Sequence, residues 1–113
     1  MLIVQEKLTR GELSKISGNF FTDMIKGVVD VKKEILAIDA ELHADLEAFL
    51  LEKGSAQQDL WGINLYPELL GEDFIEFDSM INIRPSQNNK SRTVEDEAAR
   101  EIIRKIVRAK IDE

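Results

Sequence analysis

Apolar and polar residues alternate most regularly over residues 74–83, "FIEFDSMINI", a period of two that predicts a long half-buried strand. Alternation puts Phe74, Glu76, Asp78, Met80, Asn82 and Arg84 on one face and Ile75, Phe77, Ser79, Ile81 and Ile83 on a core face. Pro85 cannot donate to a ladder and biases Arg84 toward extended backbone, so the strand should stop there. Shorter apolar runs, "LIVQE" at the start and "WGINLY" before Pro67, read as further strands. "VVDV" and "EILAI" flank Lys32-Lys33 as two strands joined by a tight turn.

Helical spacing appears three times. Thr9 and Glu12 have capping-box spacing ahead of Leu13, Ile16, Phe20 and Met24, with Gly18-Asn19 as a point of kinking or restart. Leu42, Leu46, Phe49 and Leu50 predict a helix over 44–53, stopped at Gly54. Thr93 and Asp96 resemble a second capping box, placing the last helix's N-terminus at Thr93 or Val94. Its apolar stripe is Ala99, Ile102, Ile103, Ile106 and Val107. The order β-α-β-β-α-β-β-α indicates one α+β domain over 1–113, with two to three helices on a mostly antiparallel sheet of about five strands.

Composition narrows the classes. The absence of cysteine removes disulfides, zinc–thiolate sites and cysteine nucleophiles, and suits a reducing cytoplasm. No apolar run is long enough to span a membrane, and the first twelve residues lack the pattern of a signal peptide, so a cytoplasmic protein is expected. A net charge of −7 argues against broad nucleic-acid binding. Residues 90–110 nevertheless carry seven bases against four acids, a net of +3 on a body of −10. A small nuclease or ribosome-directed toxin needs a basic surface; the overall acidity speaks against it, and this basic C-terminal segment keeps it open as a third reading. No Walker loop, GxGxxG, GxSxG or HExxH occurs, and no cofactor is implied.

Candidate chemistry gathers in three stretches. His43 is the sole histidine, and Asp45 shares its face only if the segment is extended. In that case the pair can act as an oriented general base, whereas in a helix the two diverge by roughly 160°. Asp45 has a further reading as a helix cap. No metal site is expected, because only carboxylates remain to complete a shell around His43. In "DLWGINLYP", Trp61 and Asn64 are either core residues or the wall of a pocket. In "INIRPSQNNKSR", Arg84 and Arg92 bracket a turn that Asn88-Asn89 makes easy. Two guanidinium forks, exposed amides and a helix N-terminus can hold an anion, or the arginines can pair internally with Asp78, Glu95 or Asp96.

Together "ELHADLE", "GSAQQDLWGINLYP" and "FIEFDSMINIRPSQNNKSR" resemble a family of short bacterial and archaeal proteins known only as a domain of unknown function. The resemblance covers nearly the whole chain and implies motif positions at His43, Asp45, Trp61, Asn64, Asn82, Arg84 and Asn89. The chain departs from it at Asn88, where glycine is usual, and at Asp39-Ala40, where glycines precede ELHAD. Two functions follow as expectations. One is a pocket for a small phosphate- or carboxylate-bearing ligand, with His43 and Asp45 as catalytic groups and Trp61, Asn64, Asn82, Arg84, Asn89 and Arg92 as ligand-binding groups. The other is a non-catalytic interaction module acting as a homo-oligomer or adaptor.

Overall fold

The computed structural model describes residues 1–21 and 23–112. Ten regular elements follow one another: β1 (Leu2–Ile3), β2 (Leu8–Thr9), α1 (Arg10–Ser17), β3 (Ile25–Asp30), β4 (Ile35–Ile38), α2 (His43–Glu52), β5 (Leu60–Leu65), β6 (Ile75–Glu76), α3 (Glu97–Lys110) and β7 (Ile111–Asp112). Five strands form an antiparallel sheet in the order β1-β4-β3-β5-β6, while β2 and β7 make a small parallel pair. This is the expected α+β domain, with β2 and β7 as two-residue additions. No described helix is long and apolar enough to cross a membrane.

The sheet is covered on both faces. Leu13 of α1 and Ile103, Ile106 and Val107 of α3 share one core with Val29, Leu36, Ile38, Trp61, Ile63 and Leu65. Leu46 and Leu50 of α2 pack on the opposite face with Val28, Ala37 and Leu60. Two buried faces explain why β3, β4 and β5 read as continuous apolar runs instead of alternating ones.

Local chemistry sets the element ends. The Thr9–Glu12 capping box closes in both directions at 3.1 Å, and α1 ends at Gly18, leaving Phe20 half-exposed outside it. In the β3–β4 turn the buried Asp30 carboxylate accepts the N–H groups of Lys32 and Lys33 and the Ser55 hydroxyl. Asp39 (φ 73°) and Asn88 (φ 61°) both adopt left-handed backbone, which is why glycine is the easier residue at each.

Two expectations are corrected. The strand over 74–83 is realised only at Ile75–Glu76; beyond it the chain makes an isolated bridge from Asp78 to Thr93 and a 3₁₀ turn at Met80–Asn82. The Ser79 hydroxyl accepts the Ile81 N–H and turns the backbone out of the ladder. The faces then invert: Asn82 and Arg84 are buried, whereas Ile83 is exposed. The last helix starts at Glu97, because Asp96 caps it through the Ala98 N–H. Thr93 instead accepts from the Arg100 guanidinium.

Candidate functional site

The segment 82–95 is held mainly by its own side chains. Asn82 is fully buried and takes the place of a sheet partner for Gly62: its Oδ1 accepts the Gly62 N–H at 2.8 Å and its Nδ2 donates to the Gly62 carbonyl at 3.0 Å. Gly62 must lack a side chain, since a Cβ there would lie 2.5 Å from the Ser79 Cβ. The Arg84 guanidinium donates to the carbonyls of Gln57 and Leu60 and lies 4.2 Å above the Trp61 ring. Burial lowers its pKa, opposed by the carboxylates of Glu47 and Asp59. Asn89 donates to the carbonyls of Asn82, Ser91 and Thr93 and accepts the Glu95 N–H.

The turn also supplies its own anion. The Glu95 carboxylate accepts the N–H groups of Lys90 and Ser91, both at 2.8 Å, and the Ser91 hydroxyl at 2.7 Å. These bonds, the Ser91 hydroxyl first, hold Glu95 below the usual carboxylate range. Arg92 turns the other way, to Asp78 at 3.1 Å. Arg84 and Arg92 therefore do not share one pocket. Trp61, Asn82, Arg84 and Asn89 act together as a clamp on backbone groups of this chain.

A different cleft, of about 420 Å³, collects three of the remaining residues: His43, Asn64 and Arg92 line it with Lys26, Glu76 and Asp78. Strand register explains the assembly. Lys26, Asn64 and Glu76 are directly opposite one another across β3, β5 and β6, on the sheet face that carries α2. His43 and Ala44, the first residues of α2, also line the cleft, as do the exposed Leu42 and Met80. Leu42 occupies the N-cap position and has no side-chain acceptor, so it leaves the first N–H groups of α2 without a side-chain cap.

His43 is the first residue of that helix and is nearly buried. One ring nitrogen, Nε2, lies 2.8 Å from the Ile63 carbonyl. A carbonyl only accepts, so Nε2 carries the proton and Nδ1 is the basic nitrogen of the neutral ring. Burial lowers the His43 pKa. The Ile63 bond opposes that shift, nearby Lys26 adds to it, and Asn64 and Asp78 oppose it. Asn64 donates through Nδ2 to Glu76 at 2.8 Å and to the Asp78 carbonyl at 3.1 Å, and these two acceptors fix its amide orientation. Its Oδ1 is buried without a hydrogen-bond partner. Glu76 also accepts from the Tyr66 hydroxyl, whose pKa is raised by desolvation and then by that carboxylate.

Asp45 belongs elsewhere. The segment is helical from His43, so Asp45 faces away from the imidazole and lines a neighbouring groove; it is neither the partner of His43 nor the cap of α2. Lys26, Glu76 and Asp78 line the cleft although spacing along the chain does not mark them as site residues. Lys26 gave the usable signal, because in "IKGVVD" it is in phase with buried Val28 and Asp30. Among the described residues, no group of three His, Asp or Glu side chains is placed to hold a metal ion.

No curated protein and no solved structure matches the chain significantly. A family model described as "Protein of unknown function (DUF5674)" matches residues 2–110, and the chain belongs to that family.

Proposed function

We propose that the cleft at the start of α2 binds a small ligand bearing a phosphate or carboxylate. The observation that carries this reading is the company kept by His43: a nearly buried neutral imidazole, a buried amide oxygen without a partner and Lys26, whose ammonium lies 5.2 Å from the Phe21 ring centre, line one cleft beside an uncapped helix N-terminus. Among the described residues no carboxylate lies within ion-pair distance of Lys26. Its ammonium and the first N–H groups of α2 receive the anionic group. Arg92 is a second donor once it exchanges Asp78 for the ligand, at little cost because the pair is exposed. Nδ1 of His43 accepts a proton from the ligand, and Asn64 positions it. The cysteine-free composition suits a cytoplasmic setting.

The test is a thermal-shift panel of inorganic phosphate, sugar phosphates, nucleotides and small dicarboxylates on wild type, Lys26→Ala and Arg84→Lys. A compound at one hundred times its Kd adds about 2.7 kcal/mol, several degrees for a domain of this length. The expected result is a shift kept in Arg84→Lys and lost in Lys26→Ala. No shift from any compound, or one that survives in Lys26→Ala and vanishes in Arg84→Lys, overturns the assignment.

A further inference from the structure

On the other side of the first turn of α2 lies a separate groove of about 430 Å³. Its floor is apolar: Phe20, half-exposed, lies with Ala40, Ala48 and the partly buried Phe49. Every charged side chain lining it is acidic, namely Asp39, Glu41, Asp45 and Glu52. Asp45 and Glu52 are seven residues apart on α2, so they share a face with Ala48 and Phe49 between them. The Phe49 ring already attracts a cation, with the Lys53 ammonium 5.0 Å from its centre.

We infer that this groove docks a cationic amphipathic segment of a partner protein, whose apolar side chains cover Phe20 and Phe49 while its lysines or arginines meet the four carboxylates. Three observations select that occupant. The carboxylates are spread along the groove, and among the described residues they form no metal-ion cluster, so a chain of spaced charges fits better than a point cation. The apolar floor adds a requirement that a purely polar cation does not meet. The acids here and the net charge of −7 repel nucleic acid and attract a basic peptide. The inference is independent of the cleft on the His43 side.

The probe is a fluorescent helical peptide of about 18 residues with leucines at every third or fourth position and lysines elsewhere. Its control has the same charge with serine for leucine. Both are titrated by anisotropy into wild type, Phe20→Ser and Asp45→Gln/Glu52→Gln, with melting curves to verify folding. All three substituted side chains are at least half-exposed or on the surface, so the fold should persist. The leucine peptide is expected to bind wild type at micromolar Kd, about tenfold more weakly to each variant, and far better than the serine control. Equal affinity for both peptides, equal affinity across the variants, or no binding would overturn the inference. So would a wild-type dimer in sedimentation that Phe20→Ser renders monomeric, because a second copy would then cover the groove.

Discussion

Replacing Asn82 with Ala removes the amide that completes the sheet edge beside Gly62. Two buried backbone groups lose their partner, the Gly62 N–H and the Gly62 carbonyl, while the Arg92 carbonyl loses one of two donors and keeps the Ser79 N–H. Each such group left dry costs roughly 1–3 kcal/mol, and water can reach some of the space the amide vacates. The expected loss is therefore about 3–5 kcal/mol, a large share of the roughly 5–15 kcal/mol that holds a domain together. Urea denaturation reads it as a lower midpoint at nearly unchanged slope, and the melting point should drop by roughly 4 °C per kcal/mol. Asn82→Asp sharpens the test. Its carboxylate can still accept the Gly62 N–H, but it faces the Gly62 carbonyl, which needs a donor, and the Arg92 carbonyl, so the protonated form is favoured in the folded state. That raises its folded pKa above the unfolded value, and this variant should lose stability as pH rises above about 4. A loss under about 1 kcal/mol for Asn82→Ala would refute the claim that a side chain substitutes for a strand here.

Four further outcomes follow from the same geometry. Arg84→Ala forfeits two charge-assisted bonds and the stack on Trp61, so a loss of about 2–4 kcal/mol in urea is expected, with Arg84→Lys recovering less than half. Gly62→Ala should cost about 1–3 kcal/mol by overpacking against Ser79, and the double change with Ser79→Gly should be less harmful than Gly62→Ala alone. Because burial lowers the folded His43 pKa, the unfolded chain binds the proton first as pH falls through about 6.5. Stability should fall from there until the folded pKa is passed, by at most about 1.4 kcal/mol per pH unit, and the difference between wild type and His43→Gln across pH 5–7 isolates it. Glu95→Gln should speed hydrogen exchange at the amides of Lys90 and Ser91, and wild type should show the same loosening only as pH falls through the depressed folded pKa of Glu95.

Periodicity and capping conveyed most of the scaffold, because both are local. The hairpin of β3 and β4, the Thr9–Glu12 cap and α2 depend on residues within a few positions of each other. The stretch after Glu76 misled for the opposite reason. Its alternation is that of a strand, but Asn82 and Arg84 find buried backbone partners some twenty residues earlier in the chain, and those long-range bonds outweigh the local pattern. The site shows the same division. His43 and Asn64 stand out as polar residues beside apolar ones and Arg92 as one bracket of a polar turn, and the structure brings all three to one cleft. Their grouping with Lys26 and Glu76 depends on strand order, β3 beside β5 beside β6, which no spacing reveals. For Arg84 the sequence leaves an anion site and internal pairing with carboxylates both open, and the structure pairs it internally with two backbone carbonyls and an indole, partners that lie more than twenty residues away in the chain.

Whether the cleft at the start of α2 takes an anion is read by a backbone-amide NMR titration of the folded protein with inorganic phosphate and with a small dicarboxylate. Shifts that saturate and cluster at His43, Ala44, Lys26 and Asn64 are expected, with little change at Lys90 and Ser91, whose N–H groups already hold the Glu95 carboxylate. Saturable shifts centred on Arg84, Asn89 and Lys90, with the start of α2 unmoved, would contradict the cleft assignment.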